Sequence, residues 1–168
     1  MPMARELSKS ANQFVSKRES TGGSTILAGY PFFEDWGRDT MIALPGVCIV
    51  TGQYETAKKI LRTFAVNERK GLMPNLFPEG GNEPLYNTVD AALLFINCVY
   101  LYYEATKDVA FVKEMYPVME RIIKGYREGT DYGICRWVDS GGRRIVAGNM
   151  DGCAYRRDSA DTKTWKTG

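Results

Sequence analysis

The sequence predicts an all-α chain built as an α/α toroid, in which an inner ring of buried helices is backed by an outer ring of amphipathic ones. Three observations carry that expectation. Met41–Val50 and Asn87–Thr106 are apolar on most faces, whereas Gln53–Asn67 and Asp108–Gly129 are apolar on one face only. The two kinds alternate along the chain. The long loops Gly29–Asp39 and Gly71–Asn87 each lead into a buried helix, so both open on the face where an inner ring surrounds its cavity.

In chain order, Leu7, Ala11, Phe14 and Val15 recur at helical spacing and predict an amphipathic helix over Ala4–Arg18, ended by Glu19–Ser24 with its paired glycines. Thr25–Ala28 reads as a short apolar step. Asp39 or Thr40 can cap the buried helix Met41–Val50, where Pro45 predicts a kink or a short first turn. Tyr54, Ala57, Ile60, Leu61, Phe64 and Ala65 give the next helix its single apolar face. Gly71–Tyr86 holds three prolines and three glycines and is expected to be non-helical, a length of loop that is usually functional. Asn87 or Thr88 can cap the second buried helix. Asp108 caps the last one, with Phe111, Val112, Met115, Val118, Met119, Ile122, Ile123 and Tyr126 inward and a kink expected at Pro117.

Composition narrows the chemistry. The 168 residues suffice for one domain, and the net charge of +2 is uneven: residues 135–168 carry seven basic against four acidic side chains, the rest fifteen against sixteen. Nothing in that near-neutral body suggests a nucleic-acid surface. The chain contains no histidine, which excludes Ser-His-Asp and Cys-His mechanisms and His-ligated zinc within it. Cys48, Cys98, Cys135 and Cys153 form no C-x-x-C and read as free thiols of a cytoplasmic protein. No signal peptide is evident, and Val89–Tyr103 is too short for a membrane span. No metal site is expected.

Gly29–Pro45 gathers aromatics, Arg38 and three carboxylates before turning apolar. Rings cover the C–H faces of a sugar while charged groups bond its hydroxyls strongly, so the stretch suits a carbohydrate. A packed turn with Phe33 and Trp36 in the core is the alternative on composition alone. Ala28-Gly29-Tyr30-Pro31-Phe32-Phe33, Trp36-Gly37-Arg38-Asp39-Thr40 and Ala43-Leu44-Pro45-Gly46 together resemble the first signature of the C-terminal amylo-α-1,6-glucosidase domain of glycogen debranching enzymes. Gly71-Leu72-Met73-Pro74-Asn75-Leu76-Phe77-Pro78 and Glu83-Pro84-Leu85-Tyr86-Asn87-Thr88-Val89-Asp90-Ala91 resemble its second and third signatures. The resemblance covers about residues 5–133.

It implies an (α/α)6 toroid of the six-hairpin glycosidase kind, inverting hydrolysis of α-1,6-linked glucose at branch stubs without a cofactor, and an α-glucan partner such as glycogen or a limit dextrin. Carried onto matching positions, Trp36, Arg38, Asp39, Asn87 and Asp90 would line a glucose site with Tyr30 and Tyr86 as walls. Chemistry agrees, since Arg38 is a fork of donors and Asp39 and Asp90 are acceptors at helix starts. Plain N-capping is the other reading of both aspartates.

The chain also departs from the family. The family's acid lies in a Trp-Met-Asp motif, with its base farther on, and neither is found here, so the catalytic residues are unknown. The helices supply about half a ring, which predicts a fragment with apolar inner helices available for self-association. A non-catalytic glucan-binding remnant, or a toroid hydrolase of the trehalase or glucoamylase type, are the alternatives. Residues 1–134 are read as the partial toroid and 135–168 as a divergent tail that loses periodicity after Asp151. Read one base out of frame with permitted codons, the tail gives Met-Asp-Val-Arg-Ile-Gly-Glu-Ile-Leu-Pro-Thr-Pro-Arg-His-Gly-Lys-Pro, similar to the family's continuation. Sequencing the source DNA is therefore expected to reveal a family-like frame one base away; its absence there ends the frameshift reading.

Overall fold

The computed structural model describes residues 2–19, 21–29, 35–76, 83–130, 135–138 and 144–147. Helix α1 (Pro2–Asn12) precedes strands β1 (Val15–Arg18) and β2 (Gly23–Ile26). Helix α2 (Gly37–Leu44) runs into a π-helical turn (Pro45–Ile49) and is followed by helices α3 (Tyr54–Val66), α4 (Ala91–Thr106) and α5 (Val109–Glu128). Strands β3 (Cys135–Val138) and β4 (Arg144–Ala147) pair antiparallel, Cys135 opposite Ala147. The described residues are mostly helical, as the sequence predicts, with two hairpins that periodicity did not reveal.

The core forms where α2 and α4 pack together and α3 and α5 close over α4. Met41, Leu44 and Cys48 meet Phe95, Cys98 and Val99 there, with Ile60, Leu61 and Phe64 from α3. Along α5 the buried positions are Phe111, Met115, Val118, Ile122 and Tyr126, one stripe at steps of three and four. Asp108 caps that helix as expected. Its Oδ1 accepts the Phe111 N–H at 3.0 Å, and the Lys58 ammonium lies 2.8 Å from Oδ2. The Lys58 hydrogen bond first, and then the Phe111 N–H, hold this carboxyl below the usual range.

Pro45 has a specific consequence. A proline donates no N–H, so the Met41 carbonyl one turn earlier loses its helical partner. The Cys98 thiol of α4 donates to that carbonyl at 3.0 Å instead. Beyond Pro45 the turn widens, with the Val50 N–H reaching back five residues to the Pro45 carbonyl at 2.9 Å. Burial pushes the Cys98 thiol up to about 12 and Cys48 up to about 11, in keeping with the inert buried thiols expected at those two positions.

Several boundaries differ from expectation. The first helix stops at Asn12 rather than Arg18, because Val15–Arg18 pairs with Gly23–Ile26 in register Val15 to Ile26. The turn between them uses Gly22 at φ +62°, left-handed geometry that glycine adopts without strain. Helix α2 starts at Gly37, earlier than a cap at Asp39 or Thr40 would allow, and the Thr40 hydroxyl donates to the Ile26 carbonyl at 3.2 Å. Helix α4 starts at Ala91, later than a cap at Asn87 or Thr88. The extent of α5, by contrast, agrees with expectation, one helix that includes Pro117.

The hairpin is anchored by charge. Arg18 is 1% and Asp35 2% exposed; the Arg18 Nη1 donates to Asp35 Oδ1, and the Thr25 hydroxyl donates to Asp35 Oδ2 at 2.7 Å. Removing one partner of a buried pair leaves an uncompensated charge in low dielectric. Asp35→Ala is therefore expected to cost about 3–5 kcal/mol, read as a lower urea midpoint; an unchanged midpoint would show that Arg18 does not depend on it.

Candidate functional site

Three segments meet at one cleft. The first is the start of α2, where Trp36 occupies the N-cap position and Gly37 opens the helix. Gly37 is required by space: a Cβ there would fall 2.0 Å from the Pro74 carbonyl oxygen. Its N–H donates to the Asn75 carbonyl at 2.6 Å. The second segment is the extended chain around Asn75. The third is Leu85–Asp90, joined to the second by paired main-chain bonds, Asn75 N–H to Leu85 at 2.7 Å and Leu85 N–H to Leu76 at 2.9 Å.

The cleft has a volume of about 430 Å³ and is lined by Ala28, Trp36, Arg38, Asp39 and Asn75. That is in the size range of small-molecule sites. Arg38 Nε donates to Asp90 Oδ1 at 2.9 Å, with the two side chains 40% and 47% exposed. The guanidinium's terminal nitrogens make no hydrogen bond among the described residues, so two donor groups remain for a ligand. Neither aspartate caps its helix. Asp39 is an exposed residue of the first turn of α2, and Asp90, at the N-cap position of α4, turns its carboxylate to Arg38 instead.

Of the residues singled out from sequence, the structure brings Trp36, Arg38 and Asp39 onto the lining. Asp90 is attached through Arg38, and Asn87 through Asn75, whose Nδ2 donates to Asn87 Oδ1 at 3.0 Å. Tyr86 is outside the lining. Its hydroxyl donates to the Asn67 carbonyl at 2.9 Å, and Arg69 lies 5.9 Å from its ring centre. Tyr30 and Phe33 lie outside the described residues. Asn75 was not singled out, although it stands as a polar residue between Met73-Pro74 and Leu76-Phe77, a position where a side-chain amide must find partners if buried.

Behind the site, the Tyr126 hydroxyl of α5 donates to the Val89 carbonyl and so fixes the chain just before Asp90. Burial, and then the charge of Asp90, push this phenol up to about 12. An unfolded phenol ionises near 10, so the folded chain holds the proton more tightly. The resulting stability is whole below about pH 10 and is lost as pH rises through about 12. Tyr126→Phe is expected to flatten that alkaline limb of the denaturation profile and to cost about 0.5–1.5 kcal/mol at neutral pH; an unaltered limb would assign the effect elsewhere.

Known proteins resemble this chain along most of its length. A family model described as Amylo-alpha-1,6-glucosidase matches residues 9–166. The chain is 38% identical over 109 residues to the "Glycogen debranching enzyme" of Saccharomyces cerevisiae, a match that covers 58% of this chain and 7% of the yeast protein.

Proposed function

Because the chain belongs to the amylo-α-1,6-glucosidase family, we propose that its cleft holds the terminal glucose of an α-1,6-linked branch stub on an α-glucan. The observation that carries this reading is the lining itself: an indole wall at Trp36, uncommitted guanidinium donors on Arg38 and the exposed Asp39 carboxylate around one 430 Å³ space. Trp36 covers a C–H face, Arg38 donates to adjacent hydroxyl oxygens, and Asp39 accepts from a hydroxyl proton. Asp90 orients the Arg38 guanidinium, and Asn87 is joined to the lining through Asn75. Tyr30 and Tyr86 as walls rest on the family resemblance alone, since Tyr86 stands outside the lining and is tied to Asn67.

Inverting hydrolysis needs a protonated acid at the leaving oxygen and a base holding water, about 6.5–9.5 Å apart. Asp90 is already engaged through Oδ1 by Arg38, so in this reading it orients the guanidinium and takes neither role. The reading is therefore of a chain that binds glucan without cleaving it. Ile42, Val50, Leu93 and Tyr100 are 62%, 83%, 39% and 57% exposed on α2, its extension and α4, which supports self-association through these inner helices. No described helix is long and apolar enough to cross a membrane, and the proposed setting is cytoplasmic.

An NMR titration of the full chain with isomaltose is expected to move the Arg38 Nε–H resonance, with a Kd on the order of 1 mM. Arg38→Ala should weaken binding at least tenfold, about 1.4 kcal/mol. No glucose should be released from a limit dextrin. Absence of any titration would sink the glucose-site reading, and glucose release above the buffer rate would sink the non-cleaving one. On a sizing column the chain should elute above its 18.9 kDa mass; a monomer peak would remove the self-association.

A further inference from the structure

We propose that Asn75 is a positioning residue that sets which atoms the sugar site offers, by fixing the direction of the Asn87 amide. The inference rests on the glucose-site reading for its ligand, and on geometry for the rest. Asn75 is 5% exposed and bonds outward in four directions. Its main chain accepts from Gly37 N–H at 2.6 Å and donates to Leu85 at 2.7 Å. Its side chain faces the Arg38 N–H, 3.5 Å from Oδ1, and donates through Nδ2 to Asn87 Oδ1 at 3.0 Å. The long Arg38 contact is the weaker of the two and still fixes polarity, because a main-chain N–H can face only an acceptor.

The consequence passes along the chain of amides. With oxygen toward Arg38, the Asn75 side chain must present nitrogen to Asn87. Asn87 must then answer with oxygen, so its own Nδ2 is the end left outward. Asn87 is exposed, and that nitrogen makes no hydrogen bond among the described residues. Two sets of donors result, the Asn87 NH2, joined to the lining through Asn75, and the terminal nitrogens of Arg38, both suited to the oxygens of sugar hydroxyls.

Asn75→Asp isolates this effect. The main-chain bonds to Gly37 and Leu85 persist in any side-chain variant, so the loop keeps its frame. The introduced carboxylate has no proton for Asn87 at neutral pH and forces that amide to turn its nitrogen inward. In acid the carboxyl regains a proton and can donate as the native amide does. For the full chain titrated with isomaltose, the variant is expected to bind about tenfold more weakly than wild type at pH 7.5, the loss of about one hydrogen bond. The ratio should close to about one at pH 4, with Asn75→Ala weak at both. Side-chain amide NMR gives a readout that needs no ligand: the Asn87 NH2 protons should exchange rapidly in wild type and be protected in Asn75→Asp at pH 7.5. Should wild type bind no sugar, the glucose-site reading fails while this amide signature still decides the role of Asn75. Equal binding by wild type and variant at pH 7.5, or identical Asn87 exchange in both, would overturn the proposal.

Discussion

The cleft exists because two stretches of main chain touch with only a hydrogen between them. At Gly37 a side chain of any kind would meet the Pro74 oxygen at 2.0 Å, and the space it vacates is used for a 2.6 Å bond to the Asn75 carbonyl. From that contact the rest follows by short steps: Trp36 bridges Leu76, and Leu76 bridges Leu85. The far side of the same loop is seated equally closely, since a Cβ on Gly125 of α5 would lie 2.7 Å from the Lys70 oxygen. The loop that carries Asn75 is thus clamped between α5 and the start of α2, and its side chains inherit positions that the main chain has already set.

Two arginine–aspartate pairs show how burial divides fold from site. Arg18 and Asp35 are almost wholly out of water and paired with each other there. They tie a hairpin to the chain that enters α2. Arg38 and Asp90 are nearly half exposed, where a pair is worth only about 0–1 kcal/mol. Stability does not require them. What the second pair supplies is direction: with Nε held by Asp90, the planar fork has few ways left to point, and its remaining donors are aimed before any ligand arrives.

Much of this was legible in the sequence where one period governs many residues. The stripe from Phe111 to Tyr126 and the cap at Asp108 are local patterns, and both lie where the spacing puts them. The β1–β2 hairpin was hidden because Phe14 and Val15 continue the helical spacing of Leu7 and Ala11; what decides between helix and strand is the burial of Arg18 against Asp35, seventeen residues away. Helix starts were misjudged for a similar reason. Asp39 and Asp90 are good caps by type, yet Asp90 is drawn to Arg38, fifty-two residues distant. Trp36, Arg38 and Asp39 were readable as a site because their chemistry is unusual side by side. Asn75 was not, because an isolated amide carries no signal until its partners from two other segments are in place.

The polarity of the lining narrows the ligand further than its size does. Arg38 brings one positive charge to the cleft, while Asp39 and Asp90 bring two negative ones, so the site as a whole does not favour an anion. A phosphate would satisfy the Arg38 donors and face two carboxylates with nothing to offer them. An ammonium would satisfy the carboxylates and leave the donors of Arg38 and Asn87 without acceptors. A hydroxyl both accepts and donates, and a ring of hydroxyls repeats that pairing at fixed spacing. A neutral polyol meets every group in the set, which supports the proposed glucose site, and the indole of Trp36 suits a polyol with an apolar face.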